Sequence, residues 1–140
     1  MSEDLINGVM TFEEETDGVR VAVQSYFLED QSEPDTGQYV WAYRIRLHNE
    51  RPTPVQLLTR HWIITNGLGE EHEVKGEGVI GEQPVIDPGE AFVYTSGTPL
   101  DTPTGFMRGS YGMRAEDGSR FTVTVPTFSL DSPFQTTRIN

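Results

Sequence analysis

There is no cysteine in this chain. That excludes a disulfide scaffold, a thiol nucleophile and any zinc site built on thiolates. Long apolar runs are missing too: nothing approaches the ~18 consecutive apolar residues that a membrane-spanning helix needs. Positive charge is scarce, with 10 Lys and Arg against 22 Asp and Glu and a net charge of −12. Such a surface repels phosphate backbones and anionic headgroups, which argues against nucleic acid and membrane insertion. Residues 1–15 are acidic and lack the basic and apolar regions of a secretory signal. A cytoplasmic protein is the expectation. Helical periodicity is absent as well, and no stretch reads as an amphipathic helix of useful length.

What is present is alternation. Val19, Val21 and Val23 alternate with Arg20, Ala22 and Gln24. Tyr39, Trp41, Tyr43, Ile45 and Leu47 share one parity, and Arg44, Arg46 and His48 the other. In a strand, alternate side chains point to opposite faces, so this segment has one apolar and one polar face. Residues 55–65 are apolar on both parities, the pattern of a central strand or of one that crosses between contacts. Further strands are predicted near 71–75, 91–96, 107–114 and 120–125. Turn signals separate them: Asn66-Gly67-Leu68-Gly69, Asp87-Pro88-Gly89-Glu90 and Glu116-Asp117-Gly118-Ser119. The prediction is an all-β, immunoglobulin- or fibronectin-type-III-like sandwich of about seven strands, with Trp41 and Trp62 in its core. At 140 residues the chain fits one domain. Residues 1–18 read as a weakly ordered acidic arm, 19–133 as the sandwich and 134–140 as a tail.

Several segments resemble the ApaG family, also called CorD. They are Val55-Gln56-Leu57-Leu58-Thr59-Arg60-His61-Trp62-Ile63-Ile64-Thr65-Asn66-Gly67, the glycine loop Gly76-Glu77-Gly78-Val79-Ile80-Gly81-Glu82-Gln83-Pro84, and Pro88-Gly89-Glu90 followed by Tyr94-Thr95-Ser96-Gly97. Thr102-Pro103 and Gly105-Phe106-Met107-Arg108-Gly109-Ser110-Tyr111 complete the set. They occur in family order and span roughly residues 19–133. The resemblance implies a fibronectin-type-III-like sandwich. It also implies a link to cobalt and magnesium efflux or resistance, the association of bacterial members, and a role in protein interaction, the apparent role of related domains in larger eukaryotic proteins.

Gly76, Gly78 and Gly81 match the dinucleotide fingerprint in spacing. In that motif the glycines turn a strand into a helix whose N-terminal amides hold pyrophosphate. Here Pro84 and Pro88 follow, so no helix does. Five acids and one base, Lys75, lie between Glu70 and Glu82. A backbone anion-binding loop stands against a structural one, in which the glycines supply positive φ to a tight crossover. His48, His61 and His72 are far apart in sequence. His48 reads as a polar-face residue and His61 as a buried structural histidine. His72 lies opposite in parity to Glu71 and Glu73, so no metal cage is legible and the metal ligands stay unassigned. Ser96 lacks the elbow glycines and an adjacent base of a serine nucleophile. Phe106 and Phe128 lie near strand ends, where aromatics serve either packing or a partner. No catalytic residue and no cofactor is assigned.

Three functions stay open. The first is a noncatalytic binding or interaction module with a protein partner. The second is a role in divalent cation homeostasis, direct through weak binding of cobalt or magnesium or indirect through a transport protein. The third is a pyrophosphate or nucleotide binder built on the glycine loop.

Overall fold

The computed structural model describes residues 2–6 and 9–134, with side chains from residue 10 onward. Ten strands are described: β1 (Ser2–Ile6), β2 (Val9–Thr16), β3 (Val19–Phe27), β4 (Tyr39–Asn49), β5 (Val55–Asn66), β6 (Glu71–Glu77), β7 (Val85–Ile86), β8 (Ala91–Leu100), β9 (Gly105–Ala115) and β10 (Arg120–Leu130). The loop between β3 and β4 holds two single 3₁₀ turns, Glu29–Gln31 and Pro34–Thr36. Among the described residues no helix is long and apolar enough to cross a membrane.

The strands form two antiparallel sheets packed face to face. Sheet 1 runs β1-β2-β3-β4-β8, and sheet 2 runs β10-β9-β5-β6, with β7 also pairing with β5. The alternation in β3 and β4 becomes the inner face of sheet 1: Val19, Val21, Val23, Trp41, Ile45 and Leu47 are fully buried. Leu57, Met107, Met113, Val123, Phe128 and Leu130 meet them from sheet 2. Trp41 and Trp62 are 0% and 3% exposed. The all-β sandwich read from the alternation is the architecture found.

Three strands add to the seven predicted from the pattern. β1 and β2 fall within the segment 1–18, read as an arm. Phe12 of β2 is buried, and β2 pairs with β3 from Phe12↔Val23 to Thr16↔Val19. The sheet therefore begins before residue 19, because one buried aromatic and a backbone ladder suffice where the side chains around it are acids. β7 is only two residues long and sits in the segment read as irregular. Of the predicted tail, Phe134 packs edge-on against Phe27 with centroids 5.9 Å apart, and residues 135–140 lie outside the described residues.

A bulge between Leu57 and Thr59 explains why β5 is apolar on both parities. Before it, Val55 and Leu57 face the core; after it, Trp62 and Ile64 do. The extra residue swaps which parity points inward. It also corrects the reading of His61. That side chain lies on the outer face, 35% exposed, paired with Glu73 Oε2. Phe128 is core, whereas Phe106 is exposed.

Asn49 is fully buried and satisfied: its amide donates to the Thr53 and Ile86 carbonyls and its Oδ1 accepts from the Arg51 N–H, which pins the β4–β5 connection.

Candidate functional site

The two flanks of the sandwich differ. Along one, β10 lies against β2 and β3 of the other sheet. Ser25 Oγ donates to the Ser129 carbonyl, Trp41 Nε1 to the Asp131 carbonyl, and the Thr124 N–H to Thr16 Oγ1. Along the other, the edge strands β8 and β6 are not paired with one another. The sheets splay there around a cleft of about 590 Å³, within the range of sites that hold small ligands.

Trp62, Ile64, Met107 and Leu100 give the cleft apolar lining. Its polar groups come from four strands and two turns. Tyr43 of β4 and Ser96 of β8 are register partners whose side chains both reach it. Arg60 enters from β5, placed on the inner parity by the bulge. Its Nη1 donates to the Gly78 carbonyl at 2.8 Å and to the Glu77 carbonyl at 3.1 Å. At one end, Asn66 Nδ2 donates to Glu70 Oε1 at 2.7 Å and to Asp101 Oδ1 at 2.9 Å. Asn66 Oδ1 accepts the N–H groups of Leu68 and Glu70. One amide thus ties the β5–β6 hairpin to the β8–β9 connection and brings two carboxylates to the cleft.

Beside the cleft, Tyr94 of β8 and Tyr111 of β9 share a buried hydroxyl–hydroxyl hydrogen bond of 2.5 Å across the sheets. Burial, the largest cause, raises both phenols well above their ordinary range. It raises Tyr43 as well, against a hydrogen bond from Ser96 that acts the other way. All three therefore stay protonated at neutral pH and act as hydrogen-bonding groups, not as acids.

The glycine loop lies at the end of β6. Gly76 faces Arg60 across the β5–β6 ladder, and a Cβ there would stand 2.7 Å from the guanidinium. Gly78 has φ +67°, and a Cβ on it would collide with the Glu82 carbonyl. Gly81, φ +79°, follows Ile80, φ +44°, in the two-residue turn between Val79 and Glu82. A β-branched residue at positive φ is strained. The N–H groups of Gly78, Val79 and Glu82 donate to the carbonyls of Leu58, Glu82 and Val79, so these three amides are engaged inside the protein. No helix follows the loop. Arg60 is a cation the sequence reading did not attach to this loop; its inward parity after the bulge was the missing signal.

The histidines do not converge. His48 contacts Glu50 and the Gly89 carbonyl, His61 contacts Glu73, and His72 lines the cleft. The His61 hydrogen bond, then Lys75, holds the Glu73 carboxyl below its ordinary range. Among the described residues no three His, Asp or Glu side chains gather as a metal-holding set.

Residues 29–115 match the model of a family described as the ApaG domain. The chain is 52% identical over 129 residues to Protein ApaG of Paramagnetospirillum magneticum, covering 92% of this chain and 99% of that one. A crystal structure from Bordetella pertussis, described as ApaA, superposes with a TM-score of 0.80 at 44% identity, covering 88% of this chain and 97% of its own. A structural-genomics target, SoR45, gives the same TM-score at 40% identity, covering 89% and 94%.

Proposed function

The chain belongs to the ApaG domain family, and from that premise we propose that it is a noncatalytic binding module whose ligand occupies the cleft between β4–β8 and β5–β6. One observation carries the reading. The sandwich is closed by hydrogen bonds along β10 and open along β6 and β8, and the opening is where apolar side chains and convergent polar groups coincide. The noncatalytic half rests on the chemistry of those groups. The displaced acidities in and beside the cleft belong to phenols moved away from neutrality, the wrong direction for a general acid or base. Arg60 and Asn66 already serve as structural donors to carbonyls and carboxylates.

The test is an amide NMR titration with pyrophosphate, a dinucleotide, magnesium, cobalt, and peptides of either charge. Shifts clustered on Ser96, Thr98, His72 and Asn66 with any probe support the cleft. Shifts confined to residues 76–82 would move the site to the glycine loop and sink this reading. Turnover of a small substrate, abolished by one cleft substitution in a protein that melts like the wild type, would overturn the noncatalytic half.

A further inference from the structure

β8 ends sheet 1, and among the described residues it pairs with β4 alone. Two hydrogen bonds show which of its backbone groups are free. The Val40 carbonyl accepts from Leu28 on the β3 side, and the Asn49 N–H donates to Glu90 on the β8 side. Even-numbered residues of β4 therefore serve β3 and odd-numbered ones serve β8. Their partners on β8 are Phe92, Tyr94, Ser96, Thr98 and Leu100. The N–H and C=O groups of Ala91, Val93, Thr95 and Gly97 consequently point out of the sheet. Pro99, with no N–H, ends this free ladder.

Exposed edges of this kind template pairing with another strand, and charged side chains commonly block it. β6, across the cleft, carries Glu71, Glu73, Lys75 and Glu77. β8 reads AFVYTSGTPL and carries no charge over 10 residues, and Val93 is 41% exposed. Of the two edges flanking the cleft, β8 is the unprotected one.

We infer that the free edge of β8 is a strand-addition site for an extended basic peptide, which lies beside β8 and drops alternate side chains into the cleft. The inference rests on the reading of the cleft as a ligand site. Strand addition draws affinity from main-chain hydrogen bonds and selectivity from pockets for every second side chain. The inward side chains of β8 at Ser96, Thr98 and Leu100 already line the cleft, so the next strand's inward residues enter the same space. Seven residues, 91–97, offer a ladder of about 23 Å. Charge selects the occupant. Glu70, Glu71 and Asp101 line the cleft against the single guanidinium of Arg60, Glu70 and Asp101 are held there by Asn66, and the chain carries −12 overall. That charge attracts a cationic peptide and repels a second copy of the same chain.

The probe is a capped octapeptide alternating lysine and valine, titrated into the full chain. Three companions accompany it: the glutamate–valine version, and two lysine versions N-methylated on one or the other alternate set of residues. The expected result is amide shifts and slowed hydrogen exchange at Val93, Thr95 and Gly97. One methylated peptide binds about tenfold more weakly or worse, because the donors that face β8 are blocked, and the glutamate version does not bind. Thr95→Pro removes an outward N–H that makes no ladder bond, so it melts near the wild type and weakens the lysine peptide similarly. The methylated peptides give the same answer on unaltered protein should that variant misfold. Shifts at Ser96 and His72 without β8 protection and without a methylation effect would overturn strand addition while leaving the cleft reading intact. Absence of binding by the lysine peptide would also overturn it, as would β8 shifts on concentrating the protein alone, which would assign the edge to a second copy.

Discussion

The two flanks of the sandwich are built from similar strands and end differently. On the β10 flank, an indole, a serine and a backbone amide each reach across to the opposite sheet, and Phe128 and Leu130 fill the space beneath with no exposure. On the β6–β8 flank the sheets part, and Ser96, Thr98, His72 and Arg60 take inner-face positions beside Trp62, Ile64 and Leu100. A sandwich that closes fully has its stability spread along both flanks; this one concentrates packing on one and leaves surface for contact on the other. Stability and binding should therefore separate by flank, and each prediction below probes that separation.

The largest effect is expected on the closed flank. Trp41 is fully buried, contacts Phe27 edge-on at 5.5 Å and bridges to Asp131. Trp41→Ala should cost about 3–5 kcal/mol in denaturant unfolding. Leu100→Ala, at a half-buried cleft position, should cost less than about 2 kcal/mol, since part of that side chain is already in water. Equal losses would mean that the flanks do not differ energetically.

Strands and turns were legible on both flanks. β4 announced itself because its inner and outer faces separate cleanly by parity from Tyr39 to Leu47. Three turns were visible from their glycines: positive φ falls on Gly69, Gly89 and Gly118. The cleft on the open flank hid for three reasons. The bulge between Leu57 and Thr59 carries neither glycine nor proline, so the apolar pattern on both parities of β5 did not disclose where the switch falls, nor that Arg60 would face inward and His61 outward. Asn66 looked like a turn residue; that its amide would hold both Glu70 and Asp101 depends on a contact 35 residues away. The freedom of the β8 edge is a property of strand order, which local alternation does not encode. β2 escaped for another reason, since Phe12 stands beside Glu13, Glu14 and Glu15 and a ladder sustained by backbone bonds needs little apolar pattern.

A smaller effect is expected where the flanks meet. Tyr94 belongs to the edge strand β8 and Tyr111 to the interior of sheet 2, and their hydroxyls satisfy one another in a buried setting. Tyr94→Phe should cost about 1–3 kcal/mol, because the Tyr111 hydroxyl is left buried without its partner. The double variant Tyr94→Phe, Tyr111→Phe should lie closer to the wild type than the sum of the singles, since no orphaned hydroxyl remains. If the single change is silent, water reaches the pair and the cleft extends deeper than the flank. If the singles simply add, the two hydroxyls are not each other's partners.

The smallest effect belongs to the open flank's outer face, where Glu73 of β6 pairs with His61 of β5. The His61 hydrogen bond holds the Glu73 carboxyl below its ordinary range, with Lys75 adding to it. A carboxyl whose native pKa is depressed binds its proton more readily in the unfolded chain. Its contribution is therefore present above the unfolded value, near 4.3, and is lost as pH falls through the lower native value. The pair is solvent-exposed, so the loss should be slight globally and show first where the pair sits, at the edge. Amide protection factors, corrected for the intrinsic pH dependence of exchange, should fall in β6 between about pH 5 and pH 3 before they fall in β9 or β10. Glu73→Gln, which cannot ionise, should give β6 lower protection at pH 6 and flatten its acid dependence, leaving β10 as in the wild type. Parallel loss in β6 and β10 would mean that the edge does not open on its own, and the separation of a packed flank from a yielding one would fail at this point.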